Sequence, residues 1–361
     1  MRICINSSLD QPPVKLDLTR HWYRRGPVAF LLLPLAGLYC LLSRFQRYRL
    51  EKKQIRAARS VPVIVVGNIS VGGTGKTPMV IWLAEFLFAQ GFNPGIVSRG
   101  YGGIPQSVPK RVTAKTDART AGDETVVIAR RTSAPVWVFS DRTAAVSACL
   151  KEHADIDIII SDDGLQHYRL YRDIEICMID GSRRFGNGLC LPSGPLRETV
   201  QRLKQVDFQV VTAAQTHDLD EYSLQIEGNE VINMHSPSQR YPLTKFQNRK
   251  IHAVAGLGNP ERFFSQLEQA GMEVMRHPFS DHHHFTLEDL SFPDDAPIIM
   301  TEKDAVKCGI FVDQRFWYLP IRAMPDPVLG RAILQRLQEI NRGQETAGNT
   351  GLPGHQRPAD L

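Results

Sequence analysis

The sequence predicts an α/β fold built on a doubly wound parallel sheet, and two features of the chain support this prediction. Short runs of β-branched and apolar residues alternate with segments whose apolar residues recur at helical spacing, which is the order of elements in such sheets. Tight turns that contain glycine follow several of the apolar runs. The 361 residues are enough for two domains, each with its own core.

The most informative segment covers residues 62–78 and reads PVIVVGNISVGGTGKTP. Its apolar beginning is typical of a central parallel strand, and the residues after the loop continue at helical spacing. A glycine-rich loop between a buried strand and a helix is the context that a phosphate-binding loop requires. The first domain is therefore predicted to be P-loop NTPase-like and to bind a nucleoside triphosphate.

The polar groups of this loop have predicted roles. The backbone amides expected to surround the phosphates are those of Gly72, Gly73, Thr74 and Gly75. Lys76 is expected to reach the β/γ oxygens, and the hydroxyl of Thr77 is expected to ligate Mg²⁺. Ser70 departs from the usual pattern, which begins with Gly at that position. ATP and Mg²⁺ are thus the expected cofactors.

Composition limits the class of protein. The chain is 42% apolar and 22% charged, as expected for a folded and mostly soluble protein. A net charge of +5 is modest for this length, so no nucleic-acid partner is expected, and nothing indicates an obligate protein partner. The six cysteines are scattered without a CxxC pair, which favours reduced thiols in a cytosolic setting.

One N-terminal segment breaks the soluble pattern. Residues 26–43 read GPVAFLLLPLAGLYCLLS, without a charge, and Arg and Lys residues flank the run on both sides. As a helix this run would be about 27 Å long, just short of a hydrocarbon core. Pro34, Gly37 and the basic flanks argue against a committed span, while clustered basic residues favour an anionic membrane surface. We predict an N-terminal membrane helix within residues 1–53, lodged in or on the cytoplasmic face of the membrane, and a buried core helix is the alternative.

Alternating strand and helix signals continue through residues 54–221, the predicted P-loop domain. The predicted strands after the P-loop are 93–98, 135–139, 157–161, 174–180 and 208–212. Two short alternating runs then surround Glu227-Gly228-Asn229 and predict a β-hairpin at 222–234, within a linker at 222–235.

A second, smaller α/β domain is predicted at 236–325. Its predicted elements are a strand at 251–255, a helix at 261–270, and strands at 297–300 and 316–319. An amphipathic helix at 326–342 is expected to return to the first domain, and the polar tail at 343–361 is expected to be disordered.

Two acidic pairs lie at the ends of predicted elements. Asp162 and Asp163 end an apolar strand, where a carboxylate that holds the Mg²⁺ shell opposite the P-loop threonine is expected. Asp123 and Glu124 begin a helix, where they either favour the helix dipole or belong to a catalytic loop at the strand ends. Composition alone leaves these two interpretations equal.

A histidine cluster, Asp281-His282-His283-His284-Phe285, lies in the second domain. Zinc sites usually draw ligands from separated positions, and three adjacent histidines cannot all converge on one ion. A histidine that is oriented by a carboxylate and moves a proton is the better interpretation.

Several long motifs coincide with one known family. They occur in the order SVGGTGKTP, SRGYGG, GDE, DDGLQH, DGSRRFGNGLCLPSGPLRE, GLGNPERFF, DHHHF and MTEKDAVKC. Across roughly residues 20 to 340 the chain closely resembles the tetraacyldisaccharide 4′-kinase family of Gram-negative bacteria, and Ser70 matches that family's own variant loop. The resemblance implies ATP-dependent phosphorylation of the 4′-hydroxyl of a tetraacyldisaccharide 1-phosphate, a lipid A disaccharide precursor, to give lipid IV-A.

The resemblance further implies two α/β domains joined by a two-stranded linker, with catalysis in the cleft between them, at the cytoplasmic face of the bacterial inner membrane and in contact with its phospholipid. It makes Asp123 the carboxylate that takes the sugar hydroxyl proton, assisted by a histidine of DHHHF. His282 is chosen because it directly follows Asp281, and His283 stays open. Thr77 with Asp162 or Asp163 is expected to hold Mg²⁺. Further site residues without an assigned role are Arg99, Tyr101, Glu124, Gln166, His167, Arg197 and Glu198.

Two other classes share the P-loop. Partitioning and metal-insertion ATPases need a further lysine early in the loop, where this chain has Ser70 and Val71. A membrane-bound, NTP-dependent scaffold would keep the anchor and the loop but would not use Asp123 or the DHHHF cluster. ATP hydrolysis without an acylated sugar substrate would favour these classes.

Overall fold

Two β-sheets with packed helices organise the described part of the chain. The computed structural model describes residues 18–54, 61–212, 220–309 and 312–349. In chain order the strands are β1 (Val63–Gly67), β2 (Pro94–Ser98), β3 (Lys110–Val112), β4 (Val136–Val138), β5 (Ile158–Asp162), β6 (Ile174–Asp180), β7 (Phe208–Thr212), β8 (Glu221–Glu227), β9 (Glu230–Asn233), β10 (Arg240–Pro242), β11 (Lys250–Ala255), β12 (Glu273–Pro278), β13 (Ile298–Thr301), β14 (Phe316–Leu319) and β15 (Arg322–Pro325). The α-helices are α1 (Pro27–Leu31), α2 (Leu33–Glu51), α3 (Lys76–Ala89), α4 (Ala118–Ala121), α5 (Asp123–Arg131), α6 (Arg142–Glu152), α7 (Glu261–Gln269), α8 (Glu302–Ala305) and α9 (Pro327–Asn349).

The first sheet has the strand order β15-β8-β7-β6-β1-β5-β2-β4-β3 in the described residues. The strands from β8 to β4 in this order are parallel, and β15 and β3 are antiparallel at the two edges. The side chains of β1 alternate between two cores: Ile64 and Val66 pack with residues of α3, and Val63 and Val65 pack with residues of α6. The predicted doubly wound parallel sheet is therefore confirmed.

The order of this sheet positions a binding site. After β1 the chain forms β2 and then β5 on one side of β1, with β5 between them, and it forms β6 on the other side of β1. The winding direction therefore changes at β1. Ligands of open α/β sheets bind at the carboxyl ends of the strands where the winding changes direction. The loop after β1 and the acidic pair after β5 both lie at that edge, since Val66 pairs with Asp162 in the parallel register.

The second sheet has the order β10-β9-β14-β13-β11-β12 in the described residues. The strands β14, β13, β11 and β12 are parallel, and β9 and β10 continue the sheet in antiparallel pairing. The predicted hairpin at 222–234 is wrong, because β8 belongs to the first sheet and β9 to the second. A two-residue hairpin turn requires positive φ angles, and neither Gly228 nor Asn229 is among the described residues that adopt one. The chain therefore passes from one sheet to the other at Gly228 and returns at β15, which pairs antiparallel with β8.

The C-terminal helix packs on the first sheet. Leu329, Ile333 and Leu337 of α9 are buried in the same core as Ile64 and Met79. The helix continues to Asn349, so the expected disorder of the tail is wrong for residues 343–349. Each glycine costs a helix only about 1 kcal/mol, and the Gln, Glu and Ala residues between Gly343 and Gly348 are compatible with helix. The rest of the predicted tail, residues 350–361, lies outside the described residues.

The N-terminal apolar run forms α1 and α2, which meet at Leu32. Within the part of the chain that the structure describes, no helix has the length and apolar character that crossing a bilayer requires. A spanning N-terminal membrane helix is therefore not supported. The buried alternative is also wrong, because Ala29 and Ala36 are the buried residues of these helices and most of their large apolar side chains are more than half exposed.

Candidate active site

The P-loop connects β1 to α3 through glycines with positive φ angles. Gly72 has φ 113° and Gly75, the N-cap residue of α3, has φ 81°, both in the region that favours glycine. The side chain of Asn68 holds the loop, since its Nδ2 atom donates to the carbonyl of Gly72 at 3.4 Å and to the Thr74 hydroxyl at 3.1 Å. The sequence analysis did not single out Asn68. The loop is thus preformed at a helix N-terminus, which is a favourable place for phosphate.

Lys76 begins α3 and faces the acidic pair. Its Nζ atom lies 3.4 Å from Oδ1 of Asp163. On the other side, the guanidinium of Arg197 lies 3.6 Å from Oδ2 of Asp163. Burial raises the pKa of Asp163, but the charges of Lys76 and Arg197 outweigh burial and hold this pKa below its usual range. The structure therefore brings two of the predicted site residues, Lys76 and Arg197, to the carboxylate of a third, Asp163.

Asp162 is almost completely buried next to Asp163. Its Oδ2 atom accepts a hydrogen bond from the Ser98 hydroxyl at 2.9 Å, and Ser98 in turn accepts from Thr125 of α5 at 3.4 Å. Burial and the nearby charges of Glu124 and Asp163 raise the pKa of Asp162 to about 7. Ser98 links the acidic pair to the helix that begins with Asp123, a link that sequence reasoning missed.

Asp123 and His282 meet although they come from the two different sheets. The Nδ1 atom of His282 lies 3.0 Å from Oδ2 of Asp123, and Oδ1 of Asp123 accepts from the Glu124 amide at 2.8 Å. Burial raises the pKa of Asp123, but the His282 hydrogen bond and the charges of Lys303 and Lys307 lower it overall. The same hydrogen bond raises the pKa of His282. The pair has the geometry of a carboxylate that orients an imidazole.

Two lysines beside this pair were not predicted. The Nζ atoms of Lys303 and Lys307 lie 4.0 and 3.8 Å from Oδ2 of Asp123. Lys303 also contacts Glu124 at 3.2 Å and Asp281 at 3.0 Å. Both lysines belong to the motif MTEKDAVKC, where their spacing of four residues indicates that they share one side of a helical turn. The sequence does not show which element that side faces.

His283 has a different environment from His282. Its Nε2 atom lies 3.0 Å from Oδ2 of Asp289, and its ring stacks on Phe279. Among the described residues, no group of three or more His, Cys, Asp or Glu side chains is arranged to hold a metal ion. The Asp123 pairing is thus formed by His282.

Gln166 and Glu198 lie in one hydrogen-bond network beside the P-loop. The amide of Gln166 donates to the carbonyl of Asn68 and to Oε1 of Glu198, both at 2.9 Å. Arg197 donates to Oε1 of Gln166 at 3.3 Å, and the Tyr168 hydroxyl donates to Oε2 of Glu198. This network fixes Arg197 beside Asp163.

The remaining predicted residues lie around the same edge. Tyr101 is exposed, and the centre of its ring lies 5.0 Å from that of His282. Arg99 is also exposed, in the loop after β2. His167 lies farther away, with Nε2 3.8 Å from Oδ1 of Asp141, and burial together with Arg142 lowers its pKa to about 4. His167 therefore lies beside Asp141, the N-cap residue of α6.

Two further arginines support the site and were missed. The buried Arg142 donates to the carbonyl of Asp163 at 3.4 Å. Arg183 donates from Nη2 to the carbonyl of Gly73 at 3.0 Å and from Nε to Oδ2 of Asp180 at 2.7 Å. Arg183 belongs to the motif DGSRRFGNG. The length of this motif pointed to the family, but the sequence did not assign a role to Arg183. These arginines hold the backbone of the loops that carry the site.

Comparison with known proteins identifies relatives over most of the chain. Residues 28–338 match the family described as Tetraacyldisaccharide-1-P 4′-kinase. A Tetraacyldisaccharide 4′-kinase from Nitrosococcus oceani is 44% identical over 335 residues, which are 92% of this chain and 98% of the relative. A protein of the same name from Alkalilimnicola ehrlichii is 47% identical over 314 residues, 86% of this chain and 94% of the relative.

A solved structure has a similar fold. The crystal structure of LpxK from Aquifex aeolicus in complex with ATP has a TM-score of 0.71 with this chain at 26% identity, and the match covers 86% of this chain and 99% of that chain. The family match, the curated relatives and the fold cover most of the described residues. The chain therefore belongs to the tetraacyldisaccharide-1-phosphate 4′-kinase family.

Proposed function

We propose that Asp123 and His282 act together as the general base of the reaction that this chain catalyses as a member of its family. That reaction is the ATP-dependent phosphorylation of the 4′-hydroxyl of a tetraacyldisaccharide 1-phosphate, which gives lipid IV-A in lipid A biosynthesis. Family membership also sets aside the partitioning ATPase and the scaffold as functions of this chain.

The observation that carries the proposal is the 3.0 Å contact between His282 Nδ1 and Asp123 Oδ2. Asp123 is 3% exposed, and both of its carboxylate oxygens already have partners. In the tautomer that donates from Nδ1, the Nε2 atom of His282 is the acceptor of the pair. The 4′-hydroxyl gives its proton to this acceptor as its oxygen attacks the γ-phosphorus and the bond to the ADP oxygen breaks. Asp123 stabilises the imidazolium that forms.

Residues of the first sheet are proposed to hold the nucleotide. Lys76 and the amides of the P-loop neutralise and align the phosphates, because phosphoryl transfer depends on alignment and charge stabilisation. Arg197, held beside Asp163 by Gln166, is a further cation for the transferring phosphate. Tyr101, whose ring lies beside that of His282, is proposed to contact the sugar together with Arg99 of the same loop.

Thr77, Asp162 and Asp163 fit a divalent cation. The Oδ1 atom of Asp163 is buried and, within the described structure, accepts no hydrogen bond, although Lys76 lies 3.4 Å away. Burial and, after it, the charges of Glu124 and Asp163 raise the pKa of Asp162, and a cation would offset the acidic part of this surrounding. When bound there, Mg²⁺ would neutralise charge on the β- and γ-phosphate oxygens.

The N-terminal helices are proposed to rest on the cytoplasmic surface of the inner membrane, where the lipid substrate lies. Their large exposed apolar residues include Phe30, Leu31, Leu35, Leu38, Leu41 and Leu42. The basic residues that follow, from Arg44 to Lys53, would interact with anionic headgroups. Phospholipid contact on this face would bring the sugar of a membrane-borne substrate to the edge that carries the site.

The test is a double-mutant cycle, measured with radiolabelled ATP and tetraacyldisaccharide 1-phosphate in detergent micelles. Asp123→Ala and His282→Ala should each lower kcat by roughly 10²–10⁴ with little change in ATP affinity. The double variant should be much less impaired than the product of the single effects, because the two residues act as one unit. His283→Ala is the matched control, since His283 contacts Asp289 instead.

Strictly multiplicative losses would show that the residues act independently. An active His282→Ala variant alongside an inactive His283→Ala variant would move the assignment one residue along the motif.

A further inference from the structure

The second sheet places two ammonium groups on Asp123 in addition to His282. Lys303 lies in α8, and Lys307 follows two residues after this helix ends. Both Nζ atoms approach the same oxygen, Oδ2 of Asp123, at 4.0 and 3.8 Å. Neither lysine is part of the proposed proton transfer. Their position near a buried carboxylate therefore needs a separate explanation.

Lys307 is fixed in place by a buried anchor. Its side chain is 5% exposed, and its Nζ atom lies 2.8 Å from Oδ1 of the fully buried Asp304. The other oxygen of Asp304 accepts from the Gly256 amide at 2.9 Å and from the Thr301 hydroxyl at 2.6 Å. The ammonium also lies 5.1 Å from the centre of the Phe285 ring. The charge of Lys307 is thus held between Asp304 and Asp123.

Lys303 connects the two sheets. Its Nζ atom contacts Glu124 of α5 at 3.2 Å and Asp281 at 3.0 Å, and Asp281 directly precedes His282. Lys303 therefore joins the residue after Asp123 to the residue before His282. This arrangement holds the start of α5, which carries Asp123, and the loop that carries His282 at a fixed separation.

The electrostatic balance at Asp123 requires such cations. A carboxylate that is 3% exposed loses most of its hydration, and Glu124, Asp281 and Asp304 add negative charge around it. The groups that oppose these effects are His282, Lys303 and Lys307. The pKa of Asp123 lies below its usual value in spite of its burial, which agrees with this balance.

We propose that Lys303 and Lys307 are positioning residues for the Asp123–His282 base: their ammonium groups keep Asp123 ionised and its Oδ2 atom directed at His282, so that the second sheet completes the base. This inference rests on the proposed function of the pair. Lys307 supplies a fixed charge, and Lys303 sets the separation between the start of α5 and the loop that carries His282.

The direction of the expected pH effect follows from charge. Loss of a cation near Oδ2 raises the pKa of Asp123, and it also raises the pKa of His282 because the imidazolium then has one fewer positive neighbour. Activity requires the unprotonated form of the pair. The acidic limb of the kcat–pH profile should therefore move to higher pH, by roughly one pH unit for one charge at this distance.

The experiment compares Lys303→Met and Lys307→Met with the full-length wild-type enzyme in the micelle assay, over a range of pH. We expect a shifted acidic limb, a kcat at pH 6 that is lower by about tenfold, partial recovery above the limb, and an unchanged KM for ATP. Lys307→Arg keeps the charge and should restore the position of the limb. Lys250→Met is the matched control, because Lys250 pairs with Asp294 at the opposite end of β11.

A second measurement does not depend on catalysis. The titration of the His282 ring, followed by NMR and assigned with His282→Gln, should move to higher pH in both lysine variants. If Lys307→Met does not fold because Asp304 loses its partner, the variant Lys307→Met/Asp304→Asn removes both charges and should show a smaller shift in the same direction, because the lost negative charge partly offsets the lost positive charge.

The outcomes separate the two proposals. If Asp123→Ala and His282→Ala keep wild-type kcat, the proposed base itself is wrong. If those variants are inactive while both lysine variants keep the wild-type limb and the wild-type His282 titration, the positioning role alone is overturned. A uniform loss of kcat at every pH without a shifted limb would likewise overturn it and leave a purely structural role.

Discussion

The Nη1 atom of Arg47 in α2 lies 3.8 Å from Oε2 of Glu198, and this contact joins the N-terminal helix to the frame of the nucleotide site. The Arg47 guanidinium also lies 5.0 Å from the centre of the Tyr168 ring. Glu198 in turn accepts from Gln166, which donates to the carbonyl of Asn68 at the start of the P-loop. The orientation of the exposed apolar face of α2 is therefore linked to the P-loop by direct contacts.

Arg47→Met should raise the apparent KM for the micellar lipid several-fold and leave the KM for ATP unchanged, because α2 loses its ionic and cation–π contacts while Arg202 still neutralises Glu198. Steady-state kinetics with each substrate varied in turn check this. Arg49→Met is the control, since Arg49 lies on the same helix over Phe45. Equal effects of the two substitutions would contradict the specific role of Arg47.

The exposed apolar face should bind membranes. Replacing Leu31, Leu38 and Leu41 by Asn should weaken binding to vesicles that contain anionic phospholipid by at least tenfold, because each buried apolar side chain contributes about 1.5–3 kcal/mol. Co-sedimentation measures the bound fraction. Leu287→Asn/Val328→Asn removes exposed apolar residues elsewhere and serves as the control. Unchanged binding of the triple variant would disprove the membrane role of this face.

The P-loop substitutions Lys76→Ala and Thr77→Ala should each lower kcat by at least about two orders of magnitude, because each removes charge stabilisation from the transferring phosphate or its metal. The micelle assay measures kcat, and thermal melting shows whether the fold is kept. Turnover like that of the wild type in both variants would refute the assignment of the loop.

Gly122 lies between α4 and α5, directly before Asp123, with φ 84° and ψ 141°. A Cβ atom there would lie 2.3 Å from the carbonyl oxygen of Tyr101. Gly122→Ala should therefore displace either the SRGYGG loop or the start of α5, lower kcat at least tenfold, and destabilise the fold by more than about 2 kcal/mol. Gly91→Ala is the control, because Gly91 has φ 87° but open space around its Cβ position. Similar losses in both variants would show that backbone strain alone is responsible.

His167 should make the enzyme sensitive to acid. Burial and the neighbouring arginines lower its pKa to about 4, so the unfolded chain binds this proton first as the pH falls. The stability that neutral His167 contributes is complete above about pH 6.5 and is lost toward pH 4, by on the order of 2–3 kcal/mol. His167→Gln should show a smaller fall in Tm between pH 7 and pH 4 than the wild type. An identical fall in both proteins would contradict this assignment.

Local sequence determined the nucleotide half of the site. The strand, the glycine-rich loop and the first turn of α3 are contiguous, so the positions of Lys76 and Thr77 follow from a single turn of backbone. The sequence also predicted the acidic pair, because two aspartates directly follow a run of buried β-branched residues. The structure places this strand, β5, in parallel register with β1. Buried parallel strands are continuous apolar runs, which is why the predicted strands of the first sheet agree with the observed ones to within a residue or two.

The pairing of strands was not determined by local pattern. The alternating runs around Gly228 are typical of a hairpin, yet β8 pairs with β7 and β15, while β9 pairs with β10 and β14. Alternation shows that one face of a strand is buried, but it carries no information about which neighbour buries it. The short edge strands β3, β10, β12 and β15 were missed for the same reason.

The sequence by itself determined the family, the phosphate-binding loop and the residue types of the proposed base, because each is written in contiguous motifs. Only the tertiary structure decided which histidine faces Asp123, that Ser98 joins the acidic pair to α5, and that Lys303 and Lys307 lie on the same carboxylate oxygen. These contacts join residues up to 184 positions apart, as between Asp123 and Lys307. Their energies come from burial and from charges brought within about 4 Å by the packing of two sheets, and such distances are set by the fold as a whole.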